Sequence, residues 1–462
     1  MNSFKHLEAF GNRTAVHAER EYSYAEMVGI ADSICQQVGE RTLVFCLCAN
    51  NKESLFAYVG FLRGDIVPVL LDASIQADRL HRLIQLYQPA YIWANTERED
   101  LAKTMDRPFE FGDYALFKCP TVHQHEMDER LALLLTTSGS TGSPKFVRLS
   151  YENIFSNAAS IREYLDIQED DKPITTLPMS YSYGLSIINS HFICGVAIIV
   201  TDASILKKEF WDLCKERQAT TFGGVPFVYE MLDKLKFEQF DLPSLRTLTQ
   251  AGGKLNAKLS TKFAEVCRQK GIRFFTMYGQ TEATARMSYL PDDKSREKAG
   301  SIGIAIPGGE LMLLDGAGEP ITTPHVNGEL IYKGANVSLG YAESSADLSK
   351  ADDNHGTLHT GDLAYVDKDG YFFITGRTKR IIKIAGNRIS LDEVEGLLNE
   401  HGHECVCAGT DDKLFIYTVK EDQAQIKKII KGTLNLKGFK VVAIEEIPRN
   451  DFGKILYSEL PN

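Results

Sequence analysis

Residues Leu131–Leu135, LALLL, run directly into Thr136–Lys145, TTSGSTGSPK. The first stretch is short and uniformly apolar, as a buried strand is. The second crowds Ser and Thr hydroxyls around two glycines, and its single charge is the terminal Lys145. Glycine-freed backbone N–H groups, together with such hydroxyls, make a concave cradle for phosphate oxygens. Ordinary surface loops also favour Ser, Thr and Gly, so the rest of the chain has to decide between the two readings.

With 462 residues the chain is too long for one compact core, and two or three domains are expected. A hydrophobic content of 44% and a charged content of 24% are those of an ordinary globular protein. The net charge of −11 argues against nucleic acid as a partner, because phosphate contacts need a basic surface. The excess acid lies before Arg377 and the tail is close to neutral. Any nucleotide site must therefore be locally basic or lean on a metal ion. The opening MNSFKHLEAFGNRTAVH lacks the apolar stretch of a signal peptide, and Cys194–Val200, CGVAIIV, is too short to span a bilayer. Nine cysteines without a CxxC pair suit reduced thiols, and a cytoplasmic location is expected. In HGHECVC, residues His401, His403, Cys405 and Cys407 alternate and would share one face of a strand. Same-face neighbours sit roughly 6–7 Å apart on a strand, too spread to surround one ion, so a buried strand with small cysteines is the better account.

RTLVFCLCAN, IVPVLLD and VAIIVTD read as buried strands, and QADRLHRLIQLY and ILKKEFWDLCKER as helices with apolar residues three and four apart. Strands alternating with helices predict an α/β protein with layered, mostly parallel sheets. From about Gly300 to Tyr341, IPGGELMLLDGAGEPI and NGELIYKG predict a small β-rich subdomain. After Arg380 a compact α+β tail is expected, with a helix at SLDEVEGLLNE and strands at KLFIYTV and KVVAIEEI.

Four further stretches carry chemistry: MYGQTEATA (Met277–Ala285), HTGDLAYVDKDGYF with Asp362, GRTKRIIKIAGNRI (Gly376–Ile389) and PRNDFGKILYSEL with Lys454. A glutamate beside a phosphate cradle suits Mg²⁺, which shares its shell between few carboxylates and phosphate oxygens. A lone Asp can accept both ribose hydroxyls, Tyr278 can stack on a base, and Arg377 and Lys454 can neutralise phosphate. Each also has a structural reading as core, cap or solvated face. Their joint occurrence in this order outweighs those readings.

In this order the stretches closely resemble the adenylate-forming superfamily of acyl-CoA synthetases, nonribosomal-peptide adenylation domains and luciferases. The resemblance runs from EREYSYAEM to Lys454. Thr137–Lys145 matches the AMP-binding signature of that superfamily at every position, whereas Pro144 and Phe146 exclude a Walker loop. The resemblance implies a large N-terminal domain over 1–378 and a small mobile α+β domain over 379–462 carrying the catalytic lysine. Thr137, Ser138, Gly139, Ser140, Thr141, Gly142 and Lys145 would close over the β- and γ-phosphates of ATP. Tyr278 would lie against adenine, Thr281 on the α-phosphate and Glu282 on Mg²⁺. Ala251, Gly252 and Gly253 would line the adenine and acyl sites, while Asp362 and Arg377 would hold the ribose. Lys454 would bridge the attacking carboxylate and the α-phosphate. Lys379 would be the hinge for a second orientation, in which the stretch around Lys383 lines the route of a pantetheine thiol.

The implied activity is the AMP-forming activation of a small aliphatic or aryl carboxylic acid, followed by transfer to the thiol of CoA or of a carrier protein's phosphopantetheine. A domain adenylating a non-standard amino acid, a β- or D-amino acid, for a carrier protein and a catalytically silent nucleotide-binding scaffold are the alternatives. Phe146 stands where the superfamily usually has glycine, and LPMSYSYGLS stands where many members carry a histidine. No aspartate lies between Pro178 and Ser190 to pair with an α-ammonium group, which disfavours α-amino acids. Tyr181, Tyr183, Gly184, Gly223, Gly224 and Pro226 are the candidates for the acyl pocket.

Overall fold

A computed structural model describes residues 3–121, 123–136, 145–384, 387–419, 423–434, 439–449 and 455–461. The chain forms two compact units. The first comprises Met1–Gly300, Ala305–Glu310 and Lys333–Leu358, and the second Ser301–Ile304, Leu311–Tyr332 and His359–Asn462.

The first unit is α/β. Its eight-stranded sheet has four parallel strands at the centre, in the order Leu131–Thr136, Val67–Asp72, Leu43–Cys48 and Tyr91–Asn95. LVFCLC shows no polar alternation because both its faces are covered. Val44, Cys46 and Cys48 enter one apolar cluster, and Leu43, Phe45 and Leu47 enter another. Antiparallel strands close both edges, Phe146–Ser150 and Tyr341–Ala342 on one side, Tyr114–Lys118 and Asp106–Phe111 on the other. Helices cover the faces and start where their caps dictate. Ser23 and Glu26 form a capping box for Tyr24–Val38, and Asn51 caps Lys52–Arg63.

A second sheet holds three parallel strands, Thr221–Gly224, Thr247–Gln250 and Arg273–Tyr278, with Ser288–Leu290 antiparallel beside the last. The helix Ser182–Phe192, buried along its whole length, belongs to the same unit.

In the second unit a four-stranded sheet orders Gly309–Leu314, Gly328–Gly334, Thr357–Val366 and Phe372–Arg377. The α+β tail has the strands Cys405–Thr410, Lys413–Thr418 and Phe439–Ala443 with the helices Leu391–Glu400 and Gln423–Leu434. Two expectations need correction. Only Ile198–Ile199 of VAIIVTD is strand, because just these residues find a ladder partner, in Thr14–His17. In HGHECVC the histidines precede the strand: His401 caps the preceding helix, and the strand starts at Cys405. Cys405 and Cys407 are buried in the core of the tail. Among the described residues no helix is long and apolar enough to cross a membrane.

Candidate active site

The three parallel strands of the second sheet end level with one another. Gly224 pairs with Gln250, and Gln250 with Thr276. The segments that leave these ends are Gly223–Pro226, Ala251–Gly253 and Tyr278–Glu282, three of the stretches singled out above. Ligands of parallel α/β sheets bind outside such carboxyl ends. The turns are held tightly. Gly252 has φ +82°, and a Cβ there would lie 2.5 Å from the Tyr181 hydroxyl; one at Gly279 would lie 1.7 Å from the Ala285 carbonyl oxygen. Only glycine permits either approach. Gln250 donates from Nε2 to the Gly253 carbonyl at 2.9 Å. Its buried Oε1 has no partner among the described residues.

Thr281 and Glu282 sit on one short 3-10 turn, Thr281–Ala283. The segment 335–341 straps that turn in place. The Ser338 N–H donates to the Glu282 carbonyl at 2.9 Å, and Asn336 Nδ2 donates to the carbonyls of Ala283 at 2.9 Å and Arg286 at 3.1 Å. At the end of the strap the Tyr341 hydroxyl donates to Glu282 Oε1 at 2.6 Å. Burial and the neighbouring Glu282 push the Tyr341 phenol upward, so it stays protonated and remains a donor. Lys145, the last residue of the signature loop, places its ammonium 3.8 Å from the centroid of the same ring. Thr281 Oγ1 lies 3.2 Å from Ser182 Oγ. Among the described residues no three His, Cys, Asp or Glu side chains gather as a metal cage. One oriented carboxylate beside a lysine fits Mg²⁺ carried in on phosphate oxygens, the usual manner for that ion.

The pocket candidates cluster around the helix Ser182–Phe192. Tyr183 is 4% exposed, and its hydroxyl lies 2.8 Å from both the carbonyl and Oγ1 of Thr249. Tyr181 precedes the helix and reaches Gly252. Pro226 opens the helix Pro226–Lys234, beside Gly253, and Ala251 donates its N–H to the Gly224 carbonyl at 3.2 Å. The space a side chain would take at Gly184, Gly223 and Gly224 is filled by the Pro178 carbonyl, the Tyr183 hydroxyl and Val228 respectively. Phe146 begins a strand paired on both sides and packs its ring 4.5 Å from that of Tyr87, so the place of the superfamily's usual glycine is part of the core.

In the second unit Asp362 and Arg377 are cross-strand partners, with Arg377 Nε donating to Asp362 Oδ1 at 2.9 Å. Asp362 is 2% exposed while Arg377 is open to solvent. Lys379 lies on the exposed turn Thr378–Arg380, and its neighbour Arg380 is tied to Asp392 and Glu395, both at 2.6 Å. Burial raises the Glu395 carboxyl to about 7 despite that partner. Lys383 projects from the strand Ile381–Ile384 and is exposed. Lys454 and the loop residues Thr137, Ser138, Gly139, Ser140, Thr141 and Gly142 lie outside the described residues.

The model of a family described as AMP-binding enzyme matches residues 4–342. The chain belongs to the AMP-binding enzyme family. It is 29% identical over 433 residues to the medium-chain fatty-acid–CoA ligase of Escherichia coli, a match covering 90% of this chain and 74% of that one. It is 27% identical to a 2-succinylbenzoate–CoA ligase of Bacillus cereus, covering 97% and 95%. The fold resembles that of the O-succinylbenzoate coenzyme A synthetase of Bacillus subtilis in complex with ATP and magnesium ion. The TM-score is 0.80 at 22% identity, with 99% of each chain covered.

Two residues of this AMP-binding enzyme escaped sequence reasoning. Tyr341, which links Lys145 to Glu282, marked only the end of a β-rich stretch, although its place in the chain after a Gly-rich turn was in plain view. Arg286 stands four residues beyond Glu282, directly after the stretch Met277–Ala285 and outside it. Its side chain is 2% exposed. Nε donates to Ser186 Oγ at 3.1 Å and Nη1 to the Tyr164 hydroxyl at 3.0 Å, and the guanidinium carbon lies 4.9 Å from the centroid of the Tyr183 ring.

Proposed function

We propose that this chain is an AMP-forming acid–thiol ligase, activating a carboxylic acid with Mg·ATP and passing the acyl group to CoA. The observation that carries the reading is the Lys145–Tyr341–Glu282 chain of contacts at the carboxyl end of the second sheet, beside Thr281. CoA as acceptor, rather than a carrier protein, is supported by the CoA ligases among the relatives.

In the first half-reaction an oxygen of the acid attacks the α-phosphorus of ATP; that O–P bond forms as the bond to pyrophosphate breaks. In the second, the thiolate attacks the acyl carbon and AMP leaves. Mg²⁺ supplies charge neutralisation on the phosphates, and Glu282 would hold it. Tyr341 keeps the Glu282 carboxylate oriented by donating to one oxygen, and the other would serve the Mg²⁺ that Glu282 would hold. Thr281 donates to the α-phosphate, and Lys145 with the signature loop binds the leaving pyrophosphate. Tyr278 packs on adenine, and Asp362 with Arg377 holds the ribose. Lys454 bridges carboxylate and phosphate, offsetting their repulsion most where the charges approach, in the transition state. Residues 379–462 act as the mobile domain, pivoting at Lys379 so that the surface around Lys383 meets the thiol. All nine cysteines are unpaired, which supports a reducing, cytoplasmic setting.

Pyrophosphate release with a panel of free acids, with and without CoA, tests this reading. The expected result is acid-dependent release, thioester formation with CoA, and a loss of about 10²–10³ in rate for Lys454→Ala with ATP binding retained. Robust release with α-amino acids alone overturns it.

A further inference from the structure

Arg286 is a cation buried without a counter-charge. Among the described residues no carboxylate forms an ion pair with it, and its buried Nη2 has no hydrogen-bond partner. What surrounds the guanidinium is neutral: Ser186, Tyr164, the Met277 sulfur at 2.8 Å and the Tyr183 ring. Burying an ionised group with a donor left over is among the costlier arrangements a fold can hold, and it persists where a ligand completes it.

Its position says which ligand. Thr281 lies 3.2 Å from Ser182, and Ser186, one helical turn further along, accepts from Arg286 at 3.1 Å. Ser182 and Ser186 also line a cavity of about 10 Å³ with Asn157, Asn189 and Thr284, room for one water molecule on an otherwise packed wall. Tyr183 stacks on Arg286, and its ring meets that of Tyr181, which reaches Gly252. Ser182, beside Thr281, and Ser186, beside Arg286, are one helical turn apart, so a short chain of contacts joins Arg286 to the residue assigned to the α-phosphate.

We propose that Arg286 is a specificity-determining residue that recognises a second anionic group at the far end of the acid. This rests on the ligase reading above. The substrate class is then a short dicarboxylic acid, or a keto or aryl acid bearing a second carboxylate. The guanidinium offers its Nη2 protons to that carboxylate, which enters as a dianion's second charge and supplies the missing counter-ion. The acid-rich chain gains selectivity for a dianion from this one local cation.

The test compares glutarate with valerate and adipate with hexanoate, in the wild-type enzyme, Arg286→Met and Arg286→Lys. For the wild type, kcat/KM should favour the diacid at least tenfold at matched length. Arg286→Met should lose about 10²-fold on the diacid, expressed in KM, and stay within about threefold on the monoacid; Arg286→Lys should recover part of the loss. A wild-type preference for the monoacid, with the ratio unchanged in the variants, overturns the proposal. Calorimetric titration of each acid into the ATP-loaded protein gives a readout without turnover. If no acid is adenylated, the ligase reading fails, yet diacid binding that vanishes in Arg286→Met still supports the anion site, and absence of diacid binding refutes it. Should Arg286→Met fail to fold, the wild-type selectivity and Arg286→Lys decide.

Discussion

Arg148 and Arg286 lie in the same compact unit with their side chains withdrawn from water, at 0% and 2% exposure. Arg148 is satisfied on every side. It donates to the carbonyls of Tyr341 at 3.1 Å, Leu339 at 2.7 Å, Ala351 at 3.0 Å and Lys350, and pairs with Asp353 at 2.8 Å. These acceptors all belong to the chain around the strap that carries Tyr341. Arg286 has a hydroxyl pair, a sulfur and an aromatic face, and a nitrogen with nothing. The first guanidinium is built into the scaffold. The second is built for something the chain itself does not contain, and the two should respond to substitution in opposite ways.

The largest effect expected is on stability at Arg148. Arg148→Met removes a donor from four carbonyls and the partner of Asp353, and should cost about 3–5 kcal/mol in urea unfolding. Arg286→Met replaces a cation that has no carboxylate to strand, and should change stability by no more than about 1 kcal/mol. A result in which Arg286→Met is the more destabilising of the two would make Arg286 a scaffold residue and dissolve the contrast.

Next in size is a pH effect on the helix that Arg286 touches. His191 lies on that helix, fully buried, and its ring is pushed down to about 4, chiefly by burial, with Arg286 adding to the depression. Its backbone contact to the Ile187 carbonyl and the charge of Asp171 oppose the shift. The folded protein keeps this ring neutral while the unfolded chain takes up a proton near 6.5. Stability is therefore complete above that pH and falls as the medium is acidified towards about 4, by up to about 1.4 kcal/mol per pH unit. Removing Arg286 raises the folded-state value, so Arg286→Met should lose less stability between pH 6.5 and 4 than the wild type does. Unfolding free energies at several pH values check both slopes. Equal slopes would mean that the charge of Arg286 is screened from the helix, contrary to a dry, unpaired setting.

The difference between the arginines also marks how far sequence reasoning reaches. AGG and YGQTE could be singled out because a glycine that follows a strand permits a tight turn, as at Gly252 and Gly279; the loop of TTSGSTGSPK from Thr137 to Pro144 lies outside the described residues. The alternation of strand and helix was legible because it too is local, and LVFCLC declared both faces buried. Arg286 was not. In ATARMSY it resembles any surface arginine, since nothing nearby in the chain reports that Ser186, Tyr164 and Met277 will close around it. Tyr341 illustrates the same limit: its contact with Glu282 spans 59 residues. The pocket residues lie between. Tyr181 and Tyr183 could be named as pocket candidates, but that Tyr183 would turn its hydroxyl to Thr249, and its ring face to a guanidinium, depends on packing that no spacing rule encodes.

Tyr341 gives the finest test, because two functions can be separated on one side chain. Tyr341→Phe keeps the ring beneath Lys145 and removes only the donor to Glu282. A hydrogen bond to a carboxylate contributes about 1.5–3 kcal/mol, but this site is half-buried and water can replace part of it. About 1 kcal/mol should remain as a net loss, seen as a roughly fivefold rise in KM for Mg·ATP and a higher Mg²⁺ requirement, with kcat nearly unchanged. Tyr341→Leu also removes the ring, so Lys145 loses its seat, and the additional loss should appear at saturating Mg²⁺. If the two variants behave alike, the hydroxyl carries the whole role of the residue. If only Tyr341→Leu is impaired, Glu282 does not need its donor, and the strap serves the loop lysine alone.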